Sequence, residues 1–219
     1  IKISWNGAKA ETQEKIMIGS RWEIVLDNVK KLISYRNSYQ GRNYCSVTLQ
    51  LTFLDTNVNE LADIVDLAID LGVDRVKGHH LWGHFPQIKT LSMRRNHSSI
   101  ERWNSAVDEA FTVVKKRKLP SGKDIILENF TKMGFQGIVA LDPEAECPFL
   151  GKEVWVSAEG RFNPCCAPDK ERMKLGEFGN LNEKGLMEIW NDSPYINLKK
   201  NYKNNPLCIG CNMRKRNHA

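Results

Sequence analysis

Apolar residues in the first two-thirds of the chain recur with two periods, and the periods alternate. Ile1-Lys2-Ile3-Ser4-Trp5 alternates apolar and polar positions, as a half-buried strand does, and Asn6-Gly7 ends it with turn chemistry. Trp22, Val25, Leu26, Val29, Leu32 and Ile33 then fall on one helical face. Tyr44 to Leu54 is rich in β-branched and aromatic residues and predicts a second strand. Asn57, with Glu60 three residues on, has the form of a capping box. The helix it opens carries the stripe Leu61, Ile64, Val65, Ala68 and Leu71, and Gly72 fits its C-terminal cap. Val73 to Lys77 predicts a third strand. Ser98 and Glu101 open another helix by the same capping logic, with Ile100, Trp103, Val107, Ala110 and Val114 as its apolar face. Its basic end, Lys115 to Lys118, suits the negative pole of the helix dipole. Ile125-Ile126-Leu127 is a fourth strand.

Strand–helix–strand repetition at this spacing implies an α/β fold with parallel strands and crossover helices, either a barrel or an open doubly wound sheet. In both, chemistry collects at the C-terminal ends of the strands. Those ends carry Ser4 and Asn6, then Asp55, then Lys77 with His79 and His80, then Glu128 and Asn129. Strand-to-loop transitions are polar in any protein, so this set has a structural reading as well. His79, His80 and His84 form a local cluster suited to metal binding or proton transfer, or to lining a pocket. Lys77 and Gly78 are candidates for a cavity wall, and Trp82 and Phe85 for core or pocket wall.

The pattern changes near Asp142-Pro143, where segments become short and turn-rich. A boundary there divides the chain into 1–142 and 143–219. Val154-Trp155-Val156-Ser157 and Arg161-Phe162-Asn163 flank Glu159-Gly160 and predict a β-hairpin. Ser193-Pro194 predicts the start of a last helix, with Ser as N-cap and Pro first in the helix.

Composition narrows the class. The 219 residues are 41% hydrophobic and 26% charged, and no apolar run approaches the roughly 20 residues of a membrane span. The chain opens on Ile1 with no basic-then-apolar leader and reads as an interior start. The formal charge is +6, with basic runs at Lys115–Lys118, Lys199-Lys200 and Arg214-Lys215-Arg216. Without aromatic interleaving these read as helix ends and a solvated tail, and nucleic acid is not expected as a partner.

Five of the six cysteines, Cys147, Cys165, Cys166, Cys208 and Cys211, lie in the last third of the chain, and Cys45 stands alone as a buried strand thiol. That clustering, without a leader, suits a reducing cytoplasm and a metal site rather than a disulfide framework. Cys208 and Cys211 are two residues apart and can ligate one centre from a tight turn, with Gly210 relieving its backbone. The hairpin between Cys147 and Cys165 can bring those two together. Thiolate-only ligation suits zinc or an iron–sulfur cluster. One close pair plus scattered partners leans toward the cluster, and spacing alone leaves zinc open. Cys165 and Cys166 are neighbours whose side chains diverge in extended chain, so only one is expected at the site, and Cys165 is favoured.

Read whole, this tail resembles the SPASM/twitch domains of radical S-adenosylmethionine (radical SAM) enzymes. Cys147, twelve residues, Gly160, four residues and Cys165 fit the opening of the SPASM pattern. Asn163-Pro164-Cys165-Cys166, Gly179-Asn180-Leu181, Glu188-Ile189-Trp190 and Cys208-Ile209-Gly210-Cys211 are similar to its signposts, in order. No cysteine follows Cys211, which suits the shorter twitch-like form. The resemblance implies one auxiliary [4Fe–4S] cluster on Cys147, Cys165, Cys208 and Cys211. Ile3-Ser4-Trp5-Asn6-Gly7, with Glu11-Thr12 and Gly19, resembles the fourth strand of the radical SAM partial (β/α)6 TIM barrel. This implies that residues 1–142 are the C-terminal part of that barrel and 143–219 a small α+β cluster domain. Ser4 matches the serine that contacts the amino-acid end of S-adenosylmethionine in that family, and Asn6 and Lys77 are taken as further cofactor-binding candidates. Ile16-Met17 stands where the family often has an arginine. No Cys-x3-Cys-x2-Cys loop occurs in these 219 residues, so the SAM-binding [4Fe–4S] cluster and strands one to three are expected upstream of Ile1.

The implied activity is hydrogen abstraction from a peptide or small-metabolite substrate by a 5′-deoxyadenosyl radical. The auxiliary cluster accepts an electron or holds the substrate, and an electron donor such as flavodoxin or ferredoxin serves the enzyme. Two other readings compete: a zinc-stapled nucleic-acid-binding module, and a non-catalytic electron-relay or peptide-docking partner.

Overall fold

In the computed structural model, residues 1–39, 44–81, 83, 85–134, 144–211 and 213–214 are described. Trp82, His84, Asp142-Pro143 and the end of the basic tail lie outside them. The chain divides into two compact units, Ile1–Ile138 and Val139–Ala219.

The first unit is built on four parallel strands in sequential order: β1 (Lys2–Ser4), β2 (Thr48–Phe53), β3 (Arg75–His80) and β4 (Ile126–Glu128). Among the described residues the sheet stays open and does not close into a barrel. Helices α1 (Ala10–Ile16) and α2 (Trp22–Ser38) connect β1 to β2, α3 (Leu61–Leu71) connects β2 to β3, and α4 (Pro86–Lys89) and α5 (His97–Lys116) precede β4. Period-two alternation sets the two faces of the sheet. Leu49, Leu51, Phe53 and Val76 point into a core closed by Ile64, Val65 and Ala68 of α3 and by Trp103, Val107 and Ala110 of α5. The register places Ser4, Gln50, Lys77 and Glu128 side by side in one row across the opposite face, beside the row Lys2, Thr48, Arg75 and Ile126. One face is thus an apolar core and the other is almost wholly polar.

Two expected caps form differently. Asn57 does not cap α3. Its carboxamide oxygen accepts from the Leu54 N–H at 2.9 Å, and its amide donates to the carbonyls of Asn6 and Thr52, both at 3.0 Å. Glu60 accepts instead from the Ala8 N–H and the Thr12 hydroxyl. A single 3-10 turn, Val58–Glu60, leads into the helix. The α5 cap is Asn96, whose side chain accepts from Ser99 N–H at 2.9 Å, two residues before the expected Ser98. Gly72 does end α3 in the left-handed region (φ +74°), and Gly72 and Val73 donate back to Ile69 and Ala68 in a Schellman arrangement. β2 is shorter than Tyr44–Leu54, because Tyr44 turns outward and its hydroxyl donates to Asp74. Cys45, expected to be buried, is exposed on the same stretch.

Gly78 belongs to the core rather than to a cavity wall. A side-chain carbon there would fall inside the Phe53 ring, which lies across the strand. Phe53 packs in turn on His80, Trp103 and Phe130, with ring centroids 5.2, 4.5 and 5.1 Å away. His80 is therefore half-buried and packs its ring on the aromatic edge of the core. Burial, helped by the charges of Arg94 and His79, lowers its pKa to about 3.

The second unit is smaller and irregular. The hairpin β5 (Trp155–Val156) and β6 (Phe162–Asn163) is followed by α6 (Asp169–Arg172), α7 (Leu186–Asn191), α8 (Ser193–Asn201) and α9 (Pro206–Ile209). Its core is Phe162, Phe178, Ile189, Tyr195 and Leu198. The N-cap of α8 is Asp192, one residue before the expected Ser193, with Pro194 in the first turn. No helix among the described residues is long and apolar enough to cross a membrane.

Candidate metal centre

Three stretches of the second unit carry the thiols, and each is held by a different device. The first is the loop from Cys147 to Gly151. Two hydroxyls on one face of the α8 region hold it: Tyr202 accepts from the Cys147 N–H at 3.3 Å, and Tyr195 accepts from the Gly151 N–H at 2.9 Å. The Cys147 Sγ accepts from the Leu150 N–H at 3.4 Å.

The second stretch leaves the hairpin at Pro164. The hairpin tip requires Gly160 for two reasons. Its φ is +82°, a region costly for other residues, and a Cβ there would collide with the carboxamides of Asn180 and Asn182. Both of those side chains donate to the Glu159 carbonyl, at 2.8 and 3.0 Å. Leu181 N–H donates to Gly160 and Phe162 N–H to Gly179, so the Gly179-Asn180-Leu181 segment is laced to the hairpin. Gly179 (φ +129°) lies against Ile189 of α7, and Trp190 stacks edge-on near Phe162. The recurrent Gly, Asn, Ile and Trp positions thus form one scaffold under the Cys165 segment. The chain bends at Ala167, whose N–H donates to the Cys165 Sγ at 3.4 Å.

The third stretch is α9, capped by Asn205, whose side chain accepts from Leu207 N–H. Cys211 N–H donates to the Cys208 carbonyl at 3.2 Å, closing the turn between the two thiols. Gly210 has ordinary φ (−86°), so the turn holds no strain for it to relieve, contrary to expectation. Arg214, expected in a solvated tail, is buried. Its Nε donates to the Ala145 carbonyl at 2.7 Å, linking the Cys208 turn to the start of the Cys147 loop.

The thiols sense one another. Burial pushes Cys208 up to about 12, and the charges of Cys165, Cys211 and Cys147 add to it. Burial likewise raises Cys211 to about 11, with Cys165 and Cys147 contributing. Cys165 falls to about 7, chiefly through the hydrogen bond from Cys166. Cys166 is raised, first by that same bond, then by burial and by Cys165, Cys211 and Cys147. The structure therefore brings Cys147, Cys165, Cys208 and Cys211 within electrostatic reach, and places the thiol of exposed Cys166 in the same field. Thiolates that repel one another are favoured around a shared cationic centre, so this donor set suits a thiolate-ligated metal centre, of which an iron–sulfur core is one kind. Among the described residues, no three His, Cys, Asp or Glu side chains are closed around a single metal ion.

In the first unit, Ser4 and Lys77 lie in the polar row. Lys77 pairs with Glu128, which Arg75 also contacts at 3.1 Å. The Lys77 ammonium holds the Glu128 carboxyl below its usual range. Asn6 is buried in a knot of amides: its oxygen accepts from Thr52 N–H at 2.8 Å, its amide reaches the Met17 sulfur, and its backbone N–H donates to Gln13. Gln13, Tyr195, Tyr202 and Arg214 escaped the sequence reading. The seven-residue spacing of the two tyrosines on one helical face was the available signal for them.

Residues 147–212 match the family model of the SPASM iron–sulfur cluster-binding domain. No curated protein matched the chain.

Proposed function

We propose, from a SPASM domain over residues 147–212, that this chain is part of a radical SAM enzyme whose 143–219 segment binds an auxiliary [4Fe–4S] cluster. What supports the reading most is the match over residues 147–212, in which Cys147, Cys165, Cys208 and Cys211 all lie, together with the charge effects these thiols exert on one another. These four would hold the cluster, which supplies an electron acceptor or a Lewis-acidic anchor for substrate. Leu150 and Ala167 N–H groups direct hydrogen bonds at two of the sulfurs, and such bonds tune cluster potential.

In this reading residues 1–142 form an arc of a partial (β/α)6 barrel. Sequential parallel strands with one polar face support it. The Ser4, Gln50, Lys77 and Glu128 row is the inward side, where S-adenosylmethionine and a peptide or small-molecule substrate would sit. S-adenosylmethionine supplies the 5′-deoxyadenosyl radical for hydrogen abstraction, and a flavodoxin- or ferredoxin-like donor supplies electrons in the cytoplasm. Ser4 and Lys77 orient ligand polar groups, while the Asn6–Gln13–Asn57 amide knot fixes the strand-end loops beside them.

Anaerobic reconstitution tests the cluster. The chain should take up about four irons with matching acid-labile sulfide and absorb broadly in the blue-visible range. A colourless protein holding one zinc and no sulfide would overturn the proposal.

A further inference from the structure

Two arginines of the second unit are folded in beside the thiols. Arg214 is buried, and its backbone N–H donates to the Cys211 carbonyl at 3.4 Å. Its side chain turns back over the same loop. The Nε donates to the Ala145 carbonyl, and Nη1 reaches the Cys208 carbonyl at 3.5 Å. Arg172 ends α6, the helical turn that follows Cys165 and Cys166. Ala167 N–H donates to the Cys165 sulfur, and Arg172 N–H donates to the Pro168 carbonyl at 2.9 Å. Only the Ala167–Pro168 step lies between those two bonds, about 7 Å at most, which an arginine side chain can cover. The Arg172 side chain is 16% exposed, and its Nε is buried with no hydrogen-bond partner among the described residues. Asp169, largely exposed, pairs only with Nη2. The thiols respond to both cations. Cys165 is lowered first by its bond from Cys166, and the Arg172 charge lowers it further. Burial raises Cys208, and the Arg214 charge opposes that rise.

A buried N–H without an acceptor is costly, and sulfur of a bound cluster is an acceptor of the right charge. We infer that Arg172 and Arg214 are the charge-compensating residues of the auxiliary cluster, placed beside Cys165 and the Cys208 turn so as to raise its reduction potential and bias it toward accepting an electron. An iron–sulfur cluster on four thiolates is a net anion, and one added electron makes it more so. Fixed cations in a buried setting therefore favour the reduced state, and arginine keeps its charge at any working pH. The inference rests on the cluster reading above and adds what the protein does to the cluster once it is bound.

The test is a reductive titration of the reconstituted full chain with titanium(III), followed by electron paramagnetic resonance. Arg172→Gln and Arg214→Gln should each lower the potential by about 59 mV or more, a tenfold change in the oxidised-to-reduced ratio for one electron. Arg172→Lys and Arg214→Lys, which keep the charge, should shift it by less than half as much. Lys170→Gln, which removes an exposed charge from the same turn as Arg172, should leave it unchanged. An unmoved potential in both Gln variants, or an equal fall in Lys170→Gln, overturns the inference. So does a loaded wild type that titanium(III) cannot reduce. If a Gln variant takes up no iron, its Lys counterpart decides: a loaded cluster within half that shift of the wild-type potential upholds the charge role, and any other result overturns it. A wild type that takes up no iron and sulfide fails the cluster reading itself, whereas a loaded wild type indifferent to both arginines fails this inference alone.

Discussion

The two units of this chain are stabilised by different physics. In the first, 24 buried apolar residues among those described form one continuous cluster around a sheet and its helices. In the second, the corresponding cluster among the described residues has five members, and it is supplemented by hydrogen bonds between loop backbone and the side chains of Asn180, Asn182 and Arg214, which donate, and of Tyr195 and Tyr202, which accept. A core of five side chains offsets little conformational entropy, and small domains of this kind draw folding free energy from a bound metal. Periodic sequence makes a core that stands by itself, whereas a set of local clasps organises a site that its cofactor completes.

The sharpest way to break this contrast is to remove the metal. Cys208→Ala or Cys211→Ala should abolish reconstituted colour and iron. Thermal unfolding followed by circular dichroism should then lose the second unit's transition while the first unit's persists. A single cooperative transition unaffected by iron would erase the distinction.

Next come the two glycines that each unit uses most tightly. Gly78→Ala forces a carbon into the Phe53 ring and should destabilise the first unit by about 3 kcal/mol or more, as severe overpacking does. Gly160→Ala combines positive φ with the Asn180 and Asn182 collision, and should cost the second unit about 2–3 kcal/mol. Urea unfolding of the metal-free variants separates the two. Only Gly160→Ala should also lower iron retention.

Acid should act on the first unit through His80. Its folded pKa, about 3, lies below the unfolded value of about 6.5, so the unfolded chain binds a proton that the folded chain refuses. The contribution is full above about pH 6.5 and declines by up to about 1.4 kcal/mol per pH unit as pH falls toward 3. His80→Phe should flatten that slope in pH-dependent urea titrations. A slope unchanged in the variant would assign acid sensitivity elsewhere.

The smallest effects should separate clasps from bystanders. Tyr202→Phe removes one hydroxyl from the Cys147 N–H and should cost about 1 kcal/mol, seen as faster iron loss to a chelator. Cys45→Ser, at an exposed position, should leave iron content and stability unchanged.

Most of the first unit was legible because its signals are periodic. The stripe Leu61, Ile64, Val65 and Ala68 is buried as its spacing requires, and Gly72 ends the helix where a left-handed residue was needed. The caps misled because several polar residues competed for them. Asn57 and Glu60 have the right spacing, yet both bond to segments about fifty residues away, which no local rule can register. In the second unit the cysteines were legible as a pattern. The parts that hold them were harder to read: the seven-residue spacing of Tyr195 and Tyr202 marks a shared face but not the loop N–H groups they accept from, and Arg214 belongs to a basic run with no periodicity. Gly210 was misread for the opposite reason: glycine permits unusual backbone, and this turn has no use for it.

The closed tip of the β5–β6 hairpin has a practical consequence. Hairpin ends are ordinarily where a domain accepts an inserted epitope or a protease cut. Here two asparagine carboxamides seal the Glu159 carbonyl, and Gly160 leaves them no slack. Grafting, labelling or cleavage at that end would unlace the Gly179–Leu181 segment as well, so a reporter intended to leave the thiol framework intact belongs elsewhere on the surface.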